Sequence, residues 1–127
     1  MKSKAVFLDR DNTLIYDKGY TYRPDELKWI PGSINCLQSF SSKGFKLIVI
    51  TNQSGVARGY YNEKELHRFH IFMNAELFQQ TNIFIDKFYY CPHLLDGKIA
   101  KYKKNVIVEN QAINYLNEQL LNYQLIL

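Results

Sequence analysis

The chain begins with a strand-length apolar run, Ala5-Val6-Phe7-Leu8, which stops at Asp9. The run alternates poorly, as expected of a strand buried on both faces, and the strand is read as Lys4–Leu8. A buried strand of this kind hands its next residues to a sheet edge. Beyond a polar loop and the turn Pro31-Gly32-Ser33, the residues Ile34, Leu37 and Phe40 recur at helical spacing until Gly44. A short amphipathic helix is therefore predicted over Ser33–Lys43. Phe45–Ile50 reads as a second buried strand, delivering Thr51-Asn52-Gln53-Ser54-Gly55 at its end. Asn62 followed three residues later by Glu65 has the roles of a capping box, and Leu66, Phe69, Met73 and Leu77 mark a long amphipathic helix. A third strand is predicted over Ile83–Tyr90, ending at Cys91-Pro92-His93. Strands that alternate with helices and carry polar residues at their C-terminal ends predict an α/β fold, a doubly wound parallel sheet with its site along that edge.

Composition narrows the class. The 127 residues fit a single domain, and 46% hydrophobic residues with 10 Tyr, 8 Phe and 1 Trp suffice for a core. Cys36 and Cys91 lie far apart, so a disulfide framework is not expected and a reducing cytoplasm is the simpler setting. The N-terminus lacks the h-region and cleavage site of a signal peptide, and no apolar run approaches the ~20 residues that span a bilayer. The net charge is +4, but Asn105–Leu127 holds no Lys or Arg and only two acidic residues, leaving +6 on Met1–Lys104. A mildly basic body is compatible with simple solubility or with an anionic ligand such as phosphate. Basic and aromatic residues do not interleave into a nucleic-acid stripe. The expectation is a cytoplasmic monomer with neither membrane nor nucleic-acid partners.

Asp9-Arg10-Asp11-Asn12-Thr13 is the sharpest chemical feature. Carboxylates at i and i+2 after a buried strand can share a hard divalent cation, and one can attack while the other handles a proton. A lone Asp-x-Asp is more often a solvated turn. Position favours chemistry here, because an apolar strand leads in and Thr51 closes the neighbouring strand in the same way. Cys91-x-His93 alone is a weak metal signal, since a Cys ending a strand is commonly just buried. His67 and His70 on the long helix read as solvated or core-edge histidines.

From Lys4 to His93 the chain resembles the haloacid dehalogenase superfamily of phosphotransferases, whose first motif is four hydrophobic residues and Asp-x-Asp-x-(Thr/Val). It looks closest to the branch of heptose bisphosphate phosphatases and histidinol phosphatases. The residues that carry the resemblance are Phe7–Leu14, Tyr22-Arg23-Pro24, Ile30-Pro31-Gly32, Thr51–Tyr60 and Cys91-Pro92-His93. Asn12 stands where the family usually has Gly, a tolerable change because Asn also accepts left-handed backbone. The resemblance implies a Rossmann-like core with Asp9 as nucleophile and Asp11 as general acid and base. It places Mg²⁺ on Asp9 and the Asp11 carbonyl, and phosphate on Thr51 and the backbone of Asn52–Ser54. Substrate contacts carry over to Asp17, Lys18, Gly19, Tyr20, Asn52, Gln53 and Ser54. Arg58 is a candidate anion contact or, equally, a solvated loop Arg. The implied reaction removes the 7-phosphate of D-glycero-D-manno-heptose 1,7-bisphosphate, a sugar phosphate used for surface-polysaccharide precursors; histidinol phosphate is the alternative substrate. In this branch Cys91 and His93 are half of a structural Zn²⁺ site, completed by a later Cys-x-Cys that this chain lacks, leaving the site incomplete. Also missing are the following Arg-Lys-Pro and the Asp of the fourth motif.

The pattern breaks after Lys104. Residues 105–127 read as helical through Ile113, Leu116 and Leu120, yet five Asn and the scarcity of charge set them apart. Asn105–Gln111 back-translates to AAY GTN ATH GTN GAR AAY CAR. From the third base, the triplets permit Cys, then Asn, Asp, His or Tyr, then Cys, Arg, Lys and Pro, the missing motif in order. Lys103-Lys104-Asn105 permits a run of adenines where the frame can slip. The expectation is a partial phosphatase core over 1–104 and an out-of-frame or divergent tail over 105–127, with a non-catalytic fragment as the contrasting reading.

Overall fold

A computed structural model describes residues 3–91 and the backbone of 123–126. Among these residues, four strands and two α-helices run in the order β1 (Ser3–Leu8), α1 (Ser33–Ser42), β2 (Lys46–Asn52), α2 (Glu63–Thr81), β3 (Lys87–Cys91) and β4 (Tyr123–Ile126). These strands pair in parallel, in the order β3-β2-β1-β4. The chain steps one way from β1 through β2 to β3, then returns to the far side of β1. That reversal is a topological switch point, and in open α/β sheets ligands bind beyond the C-terminal ends of the strands at such a point.

The two crossovers β1-α1-β2 and β2-α2-β3 run in the same direction, so the right-handed rule puts both helices on one face of the sheet. The main core lies there: Val6, Leu47 and Val49 of the sheet meet Leu37 of α1 and Phe69, Met73 and Leu77 of α2. Ala5 and Ile48 form a separate buried cluster. β1 thus has buried residues of both parities, as its unbroken apolar run predicted. Asn62 caps α2: its side chain accepts from the Glu65 amide at 2.7 Å, and the Glu65 carboxylate accepts from the Asn62 amide at 3.2 Å.

Two boundaries move by more than one residue. β2 reaches Asn52, because Thr51 pairs with Tyr90 and Asn52 with Cys91. β3 starts at Lys87, not Ile83, because side chains satisfy the preceding backbone. Asn74 donates to the Ile85 carbonyl at 3.0 Å and accepts from its amide at 2.8 Å, while Asp86 accepts from the Leu47 amide at 2.8 Å. Within the tail, Tyr123–Ile126 is a strand beside β1 rather than helix. The helical pattern around 113–120 lies outside the described residues.

Candidate active site

Leu8 stands opposite Val49 in the β1–β2 register, so Asp9 and Thr51 leave the sheet at the same edge. Asp9 is exposed, and one of its oxygens accepts from the Arg10 amide at 2.8 Å. The chain then turns tightly on the Arg10 carbonyl, which accepts from the amides of Leu14 at 2.9 Å and Ile15 at 3.2 Å. Asn12 adopts φ 59°, the left-handed backbone expected of it. Its side-chain oxygen accepts from the Asp17 amide at 3.1 Å, fastening the following turn. Ser33, at the start of α1, donates to the Leu14 carbonyl at 2.9 Å. The loop is therefore held by the helix it precedes.

Asp11 is the centre of a hydrogen-bond network. Its Oδ1 accepts from Arg10 Nε at 2.7 Å and its Oδ2 from Gln53 Nε2 at 3.2 Å. Gln53 Nε2 also meets Thr51 Oγ1 at 2.8 Å, and Tyr61 Oη donates to Gln53 Oε1. Thr51 and Gln53 are buried, at 3% and 2% exposure. Burial raises the Asp11 pKa above the usual carboxylate value, against the opposing pull of Arg10 and Gln53. Burial likewise pushes the Tyr61 hydroxyl up to about 12. It therefore keeps its proton and remains a donor to Gln53.

Three members of this network were not singled out from the sequence as site residues. Arg10 is fully buried and donates to His70 Nε2 at 3.1 Å and to the Thr21 carbonyl at 2.8 Å, besides Asp11. His70 stacks on Phe88 with ring centroids 4.1 Å apart, at the core edge. Burial, then the Arg10 charge, lowers its pKa to about 3, so it is a neutral acceptor. Tyr61 stacks on Tyr22 at 4.6 Å. The available signal was positional: His70 falls four residues after Leu66 and one after Phe69, on the apolar stripe of α2.

The other predicted residues spread around this centre. Asp17 shapes its own turn, accepting from the Gly19 amide at 3.0 Å and Thr21 Oγ1 at 3.1 Å. Lys18 and Tyr20 are exposed at that turn, and the Tyr20 ring meets exposed Tyr60 edge-on at 4.8 Å. Asn52 ends β2 and Ser54 begins the next loop. Arg58 differs from a solvated loop Arg: its Nε is buried, with no hydrogen-bond partner among the described residues. Cys91 ends β3, half-buried, and His93 lies outside the described residues. Among the described residues no group of three or more His, Cys, Asp or Glu could hold a metal. The donors at the β1 end are carboxylate and carbonyl oxygens, which fits Mg²⁺, an ion that takes one or two carboxylates and completes its shell with water and phosphate.

The parallel sheet order, with Asp9, Asp11 and Thr51 at one edge, is the α/β fold of a haloacid dehalogenase-type core. No family model matches the chain. It is 42% identical over 103 residues to the D-glycero-beta-D-manno-heptose-1,7-bisphosphate 7-phosphatase of Haemophilus influenzae, covering 81% of this chain and 55% of that protein. It is 38% identical over 109 residues to the D-glycero-alpha-D-manno-heptose-1,7-bisphosphate 7-phosphatase of Campylobacter jejuni, covering 86% and 63%. Among solved structures, the D,D-heptose 1,7-bisphosphate phosphatase of B. bronchiseptica, complexed with magnesium and phosphate, superposes with a TM-score of 0.73 at 27% identity, covering 91% of this chain and 63% of that one. The chain thus spans a little over half the length of the relatives it matches. No helix among the described residues is long and apolar enough to cross a membrane.

Proposed function

We propose that this core catalyses Mg²⁺-dependent hydrolysis of a phosphomonoester through an aspartyl-phosphate, with heptose 1,7-bisphosphate as substrate and its 7-phosphate as the group removed. The observation that carries the reading is the pair of carboxyl groups at the end of β1: Asp9 is open to solvent, and Asp11 is half-buried with both oxygens held. Asp9 attacks phosphorus. As the phosphorus–oxygen bond breaks, the Asp11 carboxyl passes its proton to the leaving sugar oxygen. The resulting Asp11 carboxylate then takes a proton from the water that attacks the aspartyl-phosphate. A carboxyl whose pKa is raised by burial suits this alternation, because it is more readily protonated at the start.

Thr51 offers its hydroxyl to the phosphoryl oxygens, and Gln53 holds Thr51 and Asp11 in one frame. Asp9 and the Asp11 carbonyl would hold Mg²⁺, which neutralises charge on the phosphoryl group. The exposed turn Asp17–Tyr20 and Arg58 are proposed to face the sugar and its other phosphate. The relatives act on both the alpha and the beta anomer, which supports the heptose bisphosphate class and leaves the anomer to assay. Phosphate release with Mg²⁺ from the wild-type chain and Asp9→Asn tests the reading; equal rates would mean a chain without catalysis. Parallel assays with histidinol phosphate test the substrate. Zn²⁺ on Cys91 and His93 needs two more ligands to close a tetrahedral site, and metal content by mass spectrometry tests it. The out-of-frame reading of 105–127 is tested by the nucleotides around Lys103.

A further inference from the structure

Arg10 is a fully buried guanidinium, and each of its three kinds of nitrogen has an acceptor: Nε on Asp11, Nη1 on His70 and Nη2 on the Thr21 carbonyl. Its centre also lies 5.2 Å from the Phe69 ring centroid. A buried ion pair is a weak means of stabilising a fold, because well-packed apolar residues of similar volume are often as good or better. This one is aimed at the carboxyl that the proposed reaction uses. Because guanidinium is planar, its orientation is set once Nη1 and Nη2 are anchored, and the direction of Nε–H follows. The anchors come from separate elements: His70 from the middle of α2, locked by its stack on Phe88, and Thr21 from the turn organised by Asp17. Arginine has no lone pair to offer, so the contact requires His70 to accept at Nε2 and carry its proton on Nδ1.

We infer that Arg10 and His70 are positioning residues: α2 holds His70, His70 and Thr21 hold Arg10, and Arg10 fixes the Asp11 carboxyl in line with the leaving oxygen. Gln53 fixes the other Asp11 oxygen from β2. The inference rests on the phosphatase reading and extends it to residues that do not touch substrate. In the first step, transfer of the phosphoryl group to Asp9, a displaced Asp11 slows only reactions that need a proton delivered to the leaving group; the second step, in which Asp11 activates water, is common to every substrate. Sugar alkoxides need that proton, whereas nitrophenolate leaves readily without it.

The test compares the full wild-type chain with His70→Phe, which keeps a ring against Phe88 but removes the acceptor, and His70→Gln, which keeps an acceptor. Each is assayed with Mg²⁺ on heptose 1,7-bisphosphate and on p-nitrophenyl phosphate, and the first step is read by itself from the pre-steady-state release of the leaving group. H70F is expected to lose about tenfold in the first-step rate on the sugar phosphate, part of the ~10²–10⁴-fold that acid–base catalysis supplies. Its first-step rate on nitrophenyl phosphate should stay within about twofold, and H70Q should recover most of the loss. Equal first-step loss on both substrates, no loss on either, or failure of H70Q to recover overturns the inference. If the wild type turns over neither substrate, the phosphatase reading fails separately, and nitrogen NMR judges the pair. The expected result is then His70 protonated on Nδ1 and an Arg10 Nε proton protected from exchange in wild type but not in H70F; an unprotected Arg10 proton in wild type overturns it.

Discussion

Gly55→Ala isolates one steric contact on which the site network depends. The backbone at Gly55 is not in the left-handed region, so alanine carries no conformational penalty there. Space is the difficulty: a Cβ at Gly55 would overlap Tyr61 Cε1 and lie 2.8 Å from Cζ and 2.9 Å from the hydroxyl oxygen. The Tyr61 ring has little freedom to retreat, being 4% exposed, stacked on Tyr22 and hydrogen-bonded to Gln53. Overpacking of this kind costs about 1–3 kcal/mol, which at roughly 4 °C per kcal/mol lowers Tm by about 4–12 °C. A second consequence follows from the chain of contacts. Moving Tyr61 moves Gln53, the residue that bridges Asp11 and Thr51. Urea unfolding of G55A, Tyr61→Leu and the double variant separates the two effects. The cost of the added methyl group should shrink by at least about 1 kcal/mol once the ring is gone. Strict additivity, or a G55A Tm equal to wild type, would contradict this account of the contact.

Other outcomes follow from the same network and its supports. Asn62→Ala removes the side-chain oxygen that caps α2 and should cost about 1 kcal/mol in urea unfolding. In an ultraviolet pH titration of the ten tyrosines, one should resist ionisation until about pH 12 and disappear from the curve in Tyr61→Phe. His70 is held at about 3 against its ordinary 6.5, so between those values the unfolded chain binds the extra proton and stability falls as pH drops. The slope from His70 is at most about 1.4 kcal/mol per pH unit. Asp11 works the other way: its raised pKa means the folded chain holds the extra proton just above 3.8, so its contribution grows as pH falls there. H70F should flatten the loss between pH 6 and 4.5, seen in urea midpoints; curves parallel to wild type would argue against the buried neutral histidine.

Much of the architecture was legible in the chain because it rests on local signals. Apolar runs without alternation marked β1 and β2 as doubly buried, and the Asn62–Glu65 pair marked the start of α2. An Asp directly after one such strand and a Thr closing the next placed chemistry at one sheet edge, since parallel strands present their C-terminal ends together. Asn12, standing where the resembled family usually has Gly, accepts the left-handed backbone that the structure shows there.

What the chain could not reveal were interactions in which a side chain replaces a regular partner or crosses between elements. Ile83–Asp86 has strand-forming residues, yet the Asn74 side chain takes the backbone bonds of Ile85 and the Asp86 side chain takes the Leu47 amide of β2, so β3 begins at Lys87. Arg10 looks like a solvated residue between two carboxylates, and His70 like a core-edge histidine. Only the packing of α2 against the sheet brings them within 3.1 Å across 60 residues of sequence. Gly55 and Tyr61 likewise become one contact through the fold of their loop. Periodicity and turn chemistry act over a few residues, so the order of amino acids was enough to specify which strands are buried, where they end and which carboxylates stand at their ends. Desolvation and hydrogen-bond satisfaction depend on neighbours distant in the chain, so it took the folded arrangement to settle which charge is buried, which histidine stays neutral and what holds Asp11 in place.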